Sequence, residues 1–282
     1  MNYEEILSDN NQNLIKVADS NKINYANANP FPHIEFKDFF NNDFLDKILN
    51  DFPDLSKKQD SEEYKNINEI KFANNDYEKF PEKIKIFFDF LNSNIFLDFL
   101  KKLTSINEKL ISDPELNGGG LHEIKAGGLL KVHTDFSKHP SNGLDRRINV
   151  LIYLNKDWKD SYGGCLELWD KSMKKCEKKI SPIFNNMIIF STNDFSNHGH
   201  PDAIECPKDV SRKSIALYYF SKGRPKSEVI EQSRKNKTYF KNREGFMNDT
   251  SQRNENFKNF LRKFKFYQKM KEFEKKYLRK KK

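Results

Sequence analysis

Two spacings of apolar residues divide this chain. From Phe31 to about Leu116 they recur three and four positions apart, which gathers them on one face of a helix. Phe44, Leu45, Ile48 and Leu49 follow Asn41-Asn42-Asp43, side chains suited to accept the unpaired N–H groups that open a helix. A second helix carries Ile84, Phe87, Phe88 and Leu91, with Pro81 in the first turn, where its missing N–H is harmless. A third runs through Ile95, Leu97, Leu100 and Leu103. Between the first two, residues 56–80 are polar and charged and read as a surface loop that covers a site. Residues 1–30, rich in Asn and closed by Asn27-Ala28-Asn29-Pro30, read as an irregular lead-in.

After Asn117-Gly118-Gly119-Gly120 the pattern changes. Residues 121–125, 129–132, 147–154, 165–169, 187–190 and 213–220 are short apolar or alternating runs bounded by turn residues. That many short strands predict a sandwich or barrel. The expected organisation is a lead-in at 1–30, a helical support region at 31–117 and a strand-rich core at 118–222. A linker and tail follow at 223–282.

Composition fits one catalytic domain with additions. The 282 residues are 36% hydrophobic, and 25 of them are Phe, enough for an aromatic core. The opening Met1-Asn2-Tyr3-Glu4-Glu5 lacks the basic and apolar regions of a signal peptide, and no apolar run is long enough to span a bilayer. Cys165, Cys176 and Cys206 are odd in number and have no Cys-x-x-Cys spacing, so they read as reduced thiols of a cytoplasmic protein. The net charge of +9 is uneven. Residues 257–282 hold twelve Lys or Arg against Glu272 and Glu274, so the tail carries +10 and the other 256 residues net −1. Phe257, Phe260, Leu261, Phe264 and Tyr267 recur at helical spacing there, which predicts a basic amphipathic helix. Its simplest role is a solvated face; nucleic acid, an acidic partner or an anionic membrane are the binding alternatives.

The chemistry centres on His133-Thr134-Asp135. Side chains alternate along a strand, so this His and Asp face the same way and can grip one metal ion. Two imidazoles and one carboxylate on one side leave positions open on the other, an arrangement that suits iron binding dioxygen. The second imidazole must come from afar. Ser196-Asn197-His198-Gly199-His200-Pro201 offers two, His198 and His200, which alternation alone does not separate.

Three stretches then carry a resemblance: Gly127-Gly128-Leu129-Leu130-Lys131-Val132-His133-Thr134-Asp135, Arg147-Ile148-Asn149-Val150-Leu151-Ile152-Tyr153-Leu154-Asn155-Lys156-Asp157-Trp158, and Gly163-Gly164-Cys165-Leu166-Glu167-Leu168-Trp169. With His198-Gly199 and Arg212 to Phe220, in this order, residues 119–222 resemble the 2-oxoglutarate and Fe(II)-dependent oxygenases of the prolyl 4-hydroxylase type. The resemblance implies a double-stranded β-helix (jelly-roll) with iron held by His133, Asp135 and His198, which leaves His200 beside the metal or in the substrate pocket. It also implies 2-oxoglutarate as cosubstrate, decarboxylated to succinate while a substrate C–H bond, a prolyl one among the candidates, is hydroxylated. L-ascorbate enters as the reductant that rescues oxidised iron.

The far carboxylate of 2-oxoglutarate, once buried, needs a paired cation and donors. Arg212 is suited to supply the guanidinium, and Ser214 lies on the same strand face. The resemblance places both in an Arg-x-Ser motif and puts the Tyr153 hydroxyl on that carboxylate. Many prolyl 4-hydroxylases carry Lys as this anchor, so Arg212 departs from that branch. Asn149 is expected to orient the cosubstrate or satisfy a backbone group, His139 to be solvated in a loop, and His33 and His122 to be structural. The alternative from another class is a non-catalytic β-helix module that engages nucleic acid or a protein through its basic C-terminal helix.

Overall fold

The computed structural model describes Tyr3 and residues 5–57, 61–228 and 237–243. Three helices form where the spacing predicts them. Asn41 opens α2 (Asn42–Asp51), its side chain accepting from the Phe44 N–H. Pro81 precedes α3 (Glu82–Asn92). Ser93 ends that helix and caps α4 (Asn94–Thr104) by accepting from the Phe96 N–H.

The expected irregular lead-in is corrected, because Leu14–Ala26 is a helix, α1, capped by Asn13. Its buried residues are only Leu14, Ala18 and Tyr25, a stripe too thin to stand out among Asn and Lys. Tertiary contact holds it: α1 lies against α4, and the Tyr25 hydroxyl bonds Ser191 at 2.7 Å. The expected surface loop at 56–80 is corrected in the same way. It contains a hairpin of β2 (Glu62–Lys65) and β3 (Glu69–Asn74) that joins the main sheet. The support region also contributes β1 (His33–Lys37) and β4 (Leu110–Ser112).

The core strands are β5 (Gly120–Lys125), β6 (Leu129–Thr134), β7 (Asp145–Tyr153), β8 (Leu166–Trp169) and β9 (Cys176–Ile180). After them come β10 (Asn186–Ser191), β11 (Asn197–His200), β12 (Ser211–Ser221) and β13 (Tyr239–Phe240). Hydrogen bonding runs β1-β10-β7-β12-β5-β3-β6-β11-β8-β9, with β2 on β3, β4 on β12 and β13 on β6. Every pair is antiparallel, and the sheet curls into a nearly closed jelly-roll, the double-stranded β-helix.

Alternation assigns the two faces of its long strands. Ile148, Val150 and Ile152 of β7 and Ile215, Leu217 and Tyr219 of β12 point outward into one core with Phe87, Phe96 and Phe99 of α3 and α4. The intervening Asn149, Leu151, Tyr153, Arg212, Ser214 and Tyr218 line the interior. The helices therefore back the sheet and leave its concave face for chemistry.

No helix among the described residues is long and apolar enough to cross a membrane. The three cysteines are free. The expected basic helix at 257–282 lies outside the described residues.

Candidate active site

Strand pairing brings the distant histidines together. His133 on β6 and His198 on β11 are register partners, and their rings lie 4.5 Å apart. Each ring donates from Nδ1 to a backbone carbonyl two residues earlier, Lys131 at 2.8 Å and Ser196 at 2.9 Å. A neutral imidazole so held donates through Nδ1 and presents the lone pair of Nε2. Both Nε2 atoms face Asp135, at 3.6 Å from Oδ1 for His133 and 3.5 Å from Oδ2 for His198. The ligand atoms of His133, Asp135 and His198 all fall within 4.8 Å of one another. These distances are long for hydrogen bonds and leave room for a small cation between the three groups.

Two residues fix the carboxylate. Asn149 donates its side-chain amide to Asp135 Oδ2 at 2.8 Å, and Arg146 pairs with the same oxygen at 3.1 Å. Arg146 Nε also donates to Asn149 Oδ1 at 2.9 Å, and its guanidinium stacks between Tyr218 and Phe136, 3.4 and 4.5 Å from the ring centres. Burial works against ionisation of Asp135, but Arg146 and the two imidazoles prevail and hold it well below the usual carboxylate range. Burial, opposed by Asp135, pushes His198 down to about 4, so the ring is neutral near pH 7.

Strict alternation from Asn149 would turn Arg147 inward. A bulge opposite Tyr219 and Phe220 reverses this: Arg146 turns inward, while Arg147 goes to Glu108 and Ser221. Asn149 bonds Asp135 and Arg146 rather than a backbone group, and it lines the same cavity. His139 is buried rather than solvated, with its ring nitrogens on Asp113, Asn117 and the backbone of Ser141. Nothing in the spacing of His139 distinguishes the two environments.

A cavity of about 250 Å³ adjoins the triad and reaches Tyr153, Ser214 and Arg212. Register sets a row of side chains across it, with Tyr153 opposite Ser214, Ser214 opposite His122 and His122 opposite Ala73. Arg212, two residues before Ser214, is 4% exposed. It donates from Nε to the Gly164 carbonyl at 2.8 Å and from one terminal nitrogen to the Tyr153 hydroxyl at 3.1 Å. Among the described residues no carboxylate pairs with it. A buried guanidinium with only neutral partners attracts an anion. Gly164 permits this placement, since an added Cβ would lie 3.2 Å from Arg212 Cδ in a backbone with φ of +71°. Ile124, Leu151 and Leu166 give the cavity apolar walls.

The structure thus brings all six expected site residues to one cavity, and His198 rather than His200 to the cluster that can hold a metal. His200 lines the same cavity but stands outside that cluster. Sequence reasoning missed Arg146 and the hairpin residues Tyr64 and Lys71, which line the mouth.

Residues 119–220 match the family model described as the 2OG-Fe(II) oxygenase superfamily. Among solved structures, the fold is similar to a prolyl hydroxylase from Trichoplax adhaerens in complex with a hypoxia inducible factor oxygen degradation domain peptide fragment. That likeness has a TM-score of 0.53 and 18% identity over 74% of this chain and 91% of that one. A Pseudomonas putida prolyl-4-hydroxylase gives a TM-score of 0.54 at 12% identity, covering 74% of this chain and all of that one. Prolyl 4-hydroxylases from Phytophthora capsici give 0.53 at 18%, covering 82% of this chain and 74% of theirs. At these identities the likeness speaks to the fold. Residues 119–220 are thus similar to the 2OG-Fe(II) oxygenase superfamily, and the fold is similar to that of the prolyl hydroxylase structures.

Proposed function

We propose that His133, Asp135 and His198 hold Fe(II) and that Arg212, with Tyr153 and Ser214, binds the far carboxylate of 2-oxoglutarate. The reaction couples 2-oxoglutarate, dioxygen and a substrate C–H bond to succinate, carbon dioxide and the hydroxylated product. One observation carries the reading. Arg212 is a buried cation without a carboxylate partner among the described residues, in the cavity that also holds the triad.

Bound iron supplies the activation of dioxygen and a chelation site for the keto acid. The protein supplies the rest. The carbonyls of Lys131 and Ser196 fix the tautomer in which Nε2 of each neutral ring carries the lone pair, and Arg146 helps to keep Asp135 ionised. Arg212 and the Tyr153 hydroxyl fix one end of the dicarboxylate, while Ile124, Leu151 and Leu166 exclude water from its aliphatic middle.

A peptidyl proline is the first substrate to try. L-ascorbate fits the scheme as the reductant that restores iron oxidised without substrate, which predicts that it raises the number of turnovers. Three free thiols suit a reducing compartment such as the cytoplasm.

The test is anaerobic loading with Fe(II) and 2-oxoglutarate followed by admission of oxygen, with succinate measured. Wild-type protein forms succinate, and His133→Ala and Asp135→Ala abolish it. Wild-type protein that neither binds 2-oxoglutarate nor forms succinate overturns the proposal and returns the domain to a binding role.

A further inference from the structure

His200 sits two residues past His198 and is 3% exposed, yet neither of its ring nitrogens has a hydrogen-bond partner among the described residues. Its ring lines the cavity. The charges of Arg212 and Lys71, which line the same cavity, act on it together with His133. A buried imidazole left without partners costs about 1–3 kcal/mol per unsatisfied group, so the fold tolerates it only where something else repays the loss. His133 and His198 are settled by the carbonyls of Lys131 and Ser196, and His139 by Asp113 and Asn117. His200 has no such anchor.

The bulge in the β6–β11 ladder gives the reason for this placement. Register shifts between His198, opposite His133, and His200, opposite Leu130. Gly199 permits the close approach, because a Cβ there would stand 2.8 Å from the carbonyls of Leu130 and Lys131. The cavity-facing end of β11 therefore carries two imidazoles with different surroundings. One faces Asp135, and the other lines the cavity that also contains the triad and Arg212.

We propose that His200 is a further cosubstrate-binding residue, whose ring N–H donates to an oxygen of 2-oxoglutarate between the metal triad and the Arg212 anchor. This rests on the proposed cosubstrate site. A neutral imidazole offers one donor and one acceptor, and a carboxylate accepts only, so a single hydrogen bond from His200 is the contact that fits. Leu130, its register partner, and Leu166 offer no competing polar atom from their side chains. His122, across the cavity, plays a different part. Its ring engages the backbone carbonyls of Gly118 and Gly119 and leaves Nε2 shielded and unpartnered. A neutral ring that donates at one nitrogen presents an acceptor at the other, which suits a hydroxyl or water rather than an anion. The anion contact therefore belongs to His200.

The experiment uses the full-length protein with Mn(II) in place of Fe(II), and calorimetric titration of Mn(II) and then of 2-oxoglutarate. His200→Leu weakens 2-oxoglutarate by about ten- to a hundred-fold, the range of one charge-assisted hydrogen bond. His200→Gln, which keeps a donor, retains most of the affinity. Mn(II) binding stays within about threefold of wild type in both variants, since neither His133, Asp135 nor His198 is touched. Thermal unfolding gives an independent reading. Without ligand, His200→Leu melts at or above the wild-type temperature, because an unsatisfied polar ring has been replaced by an apolar one, while its gain in melting temperature on adding 2-oxoglutarate shrinks. Two results overturn the inference: wild-type affinity for 2-oxoglutarate in His200→Leu, or a ligand-free His200→Leu protein that melts far below wild type, which means that the ring is already satisfied by the fold. Wild-type protein that fails to bind 2-oxoglutarate at all overturns the proposed function instead.

Discussion

Asp135 touches more of this protein than any other acid at the site. Oδ2 takes Asn149 and Arg146, and Oδ1 faces His133, so one carboxylate joins an orienting network to the proposed metal site. Groups that orient a ligand typically govern ten- to a hundred-fold in metal affinity. Asn149→Leu is accordingly expected to weaken Mn(II) binding by about that factor in a titration, with secondary structure unchanged by circular dichroism. Unchanged affinity would show that Arg146 alone orients the carboxylate. Away from the site, burial pushes the Cys176 thiol up to about 11. Below that pH the reactive thiolate is scarce, and its fraction grows tenfold per pH unit. Site-resolved alkylation at Cys176 should therefore be slow at pH 7 and climb steadily towards pH 11; fast labelling at pH 7 contradicts the buried setting.

At the scale of elements, the site depends on β6 and β11 keeping their separation, since each carries one imidazole. Gly199→Ala forces a Cβ against two backbone carbonyls of β6, where no side chain can move aside. Overpacking of this kind costs about 1–3 kcal/mol. Urea unfolding is expected to register that loss, and Mn(II) titration to register weaker binding as His198 moves from His133. The elements also mark where sequence patterns are readable. α2, α3 and α4 and six long or apolar strands follow their spacing, because each buries apolar residues in the large aromatic core or in a smaller cluster beside it. β3 and β11 escape notice for the opposite reason. β11 is four residues long and reads Asn-His-Gly-His, and β3 carries Glu69 and Lys71 towards the cavity. β11 lacks the alternation that announces a strand facing a core, whereas β3 alternates in Glu69-Ile70-Lys71-Phe72 but lies within a polar, charged stretch.

For the whole molecule, charge and chemistry occupy different parts of the chain. Residues 257–282 carry +10 against −1 for the rest, whereas the six residues proposed to hold iron and 2-oxoglutarate lie between His133 and Ser214. Ending the chain after residue 256 is expected to leave succinate formation per enzyme unchanged and to abolish retention on a cation exchanger at neutral pH, as net charge falls from +9 to −1. Loss of turnover on truncation would instead assign the tail a part in the reaction. Sequence by itself determined the strand-rich core behind helices, the His-x-Asp pair and the Arg-x-Ser pair, because those depend on residue types at short fixed spacings. Only the tertiary structure decided which histidine meets Asp135, that a bulge turns Arg146 inward instead of Arg147, and that a polar stretch becomes a hairpin beside the cavity. Each of those outcomes is set by register between strands far apart in sequence, and register is fixed by packing that no local spacing records.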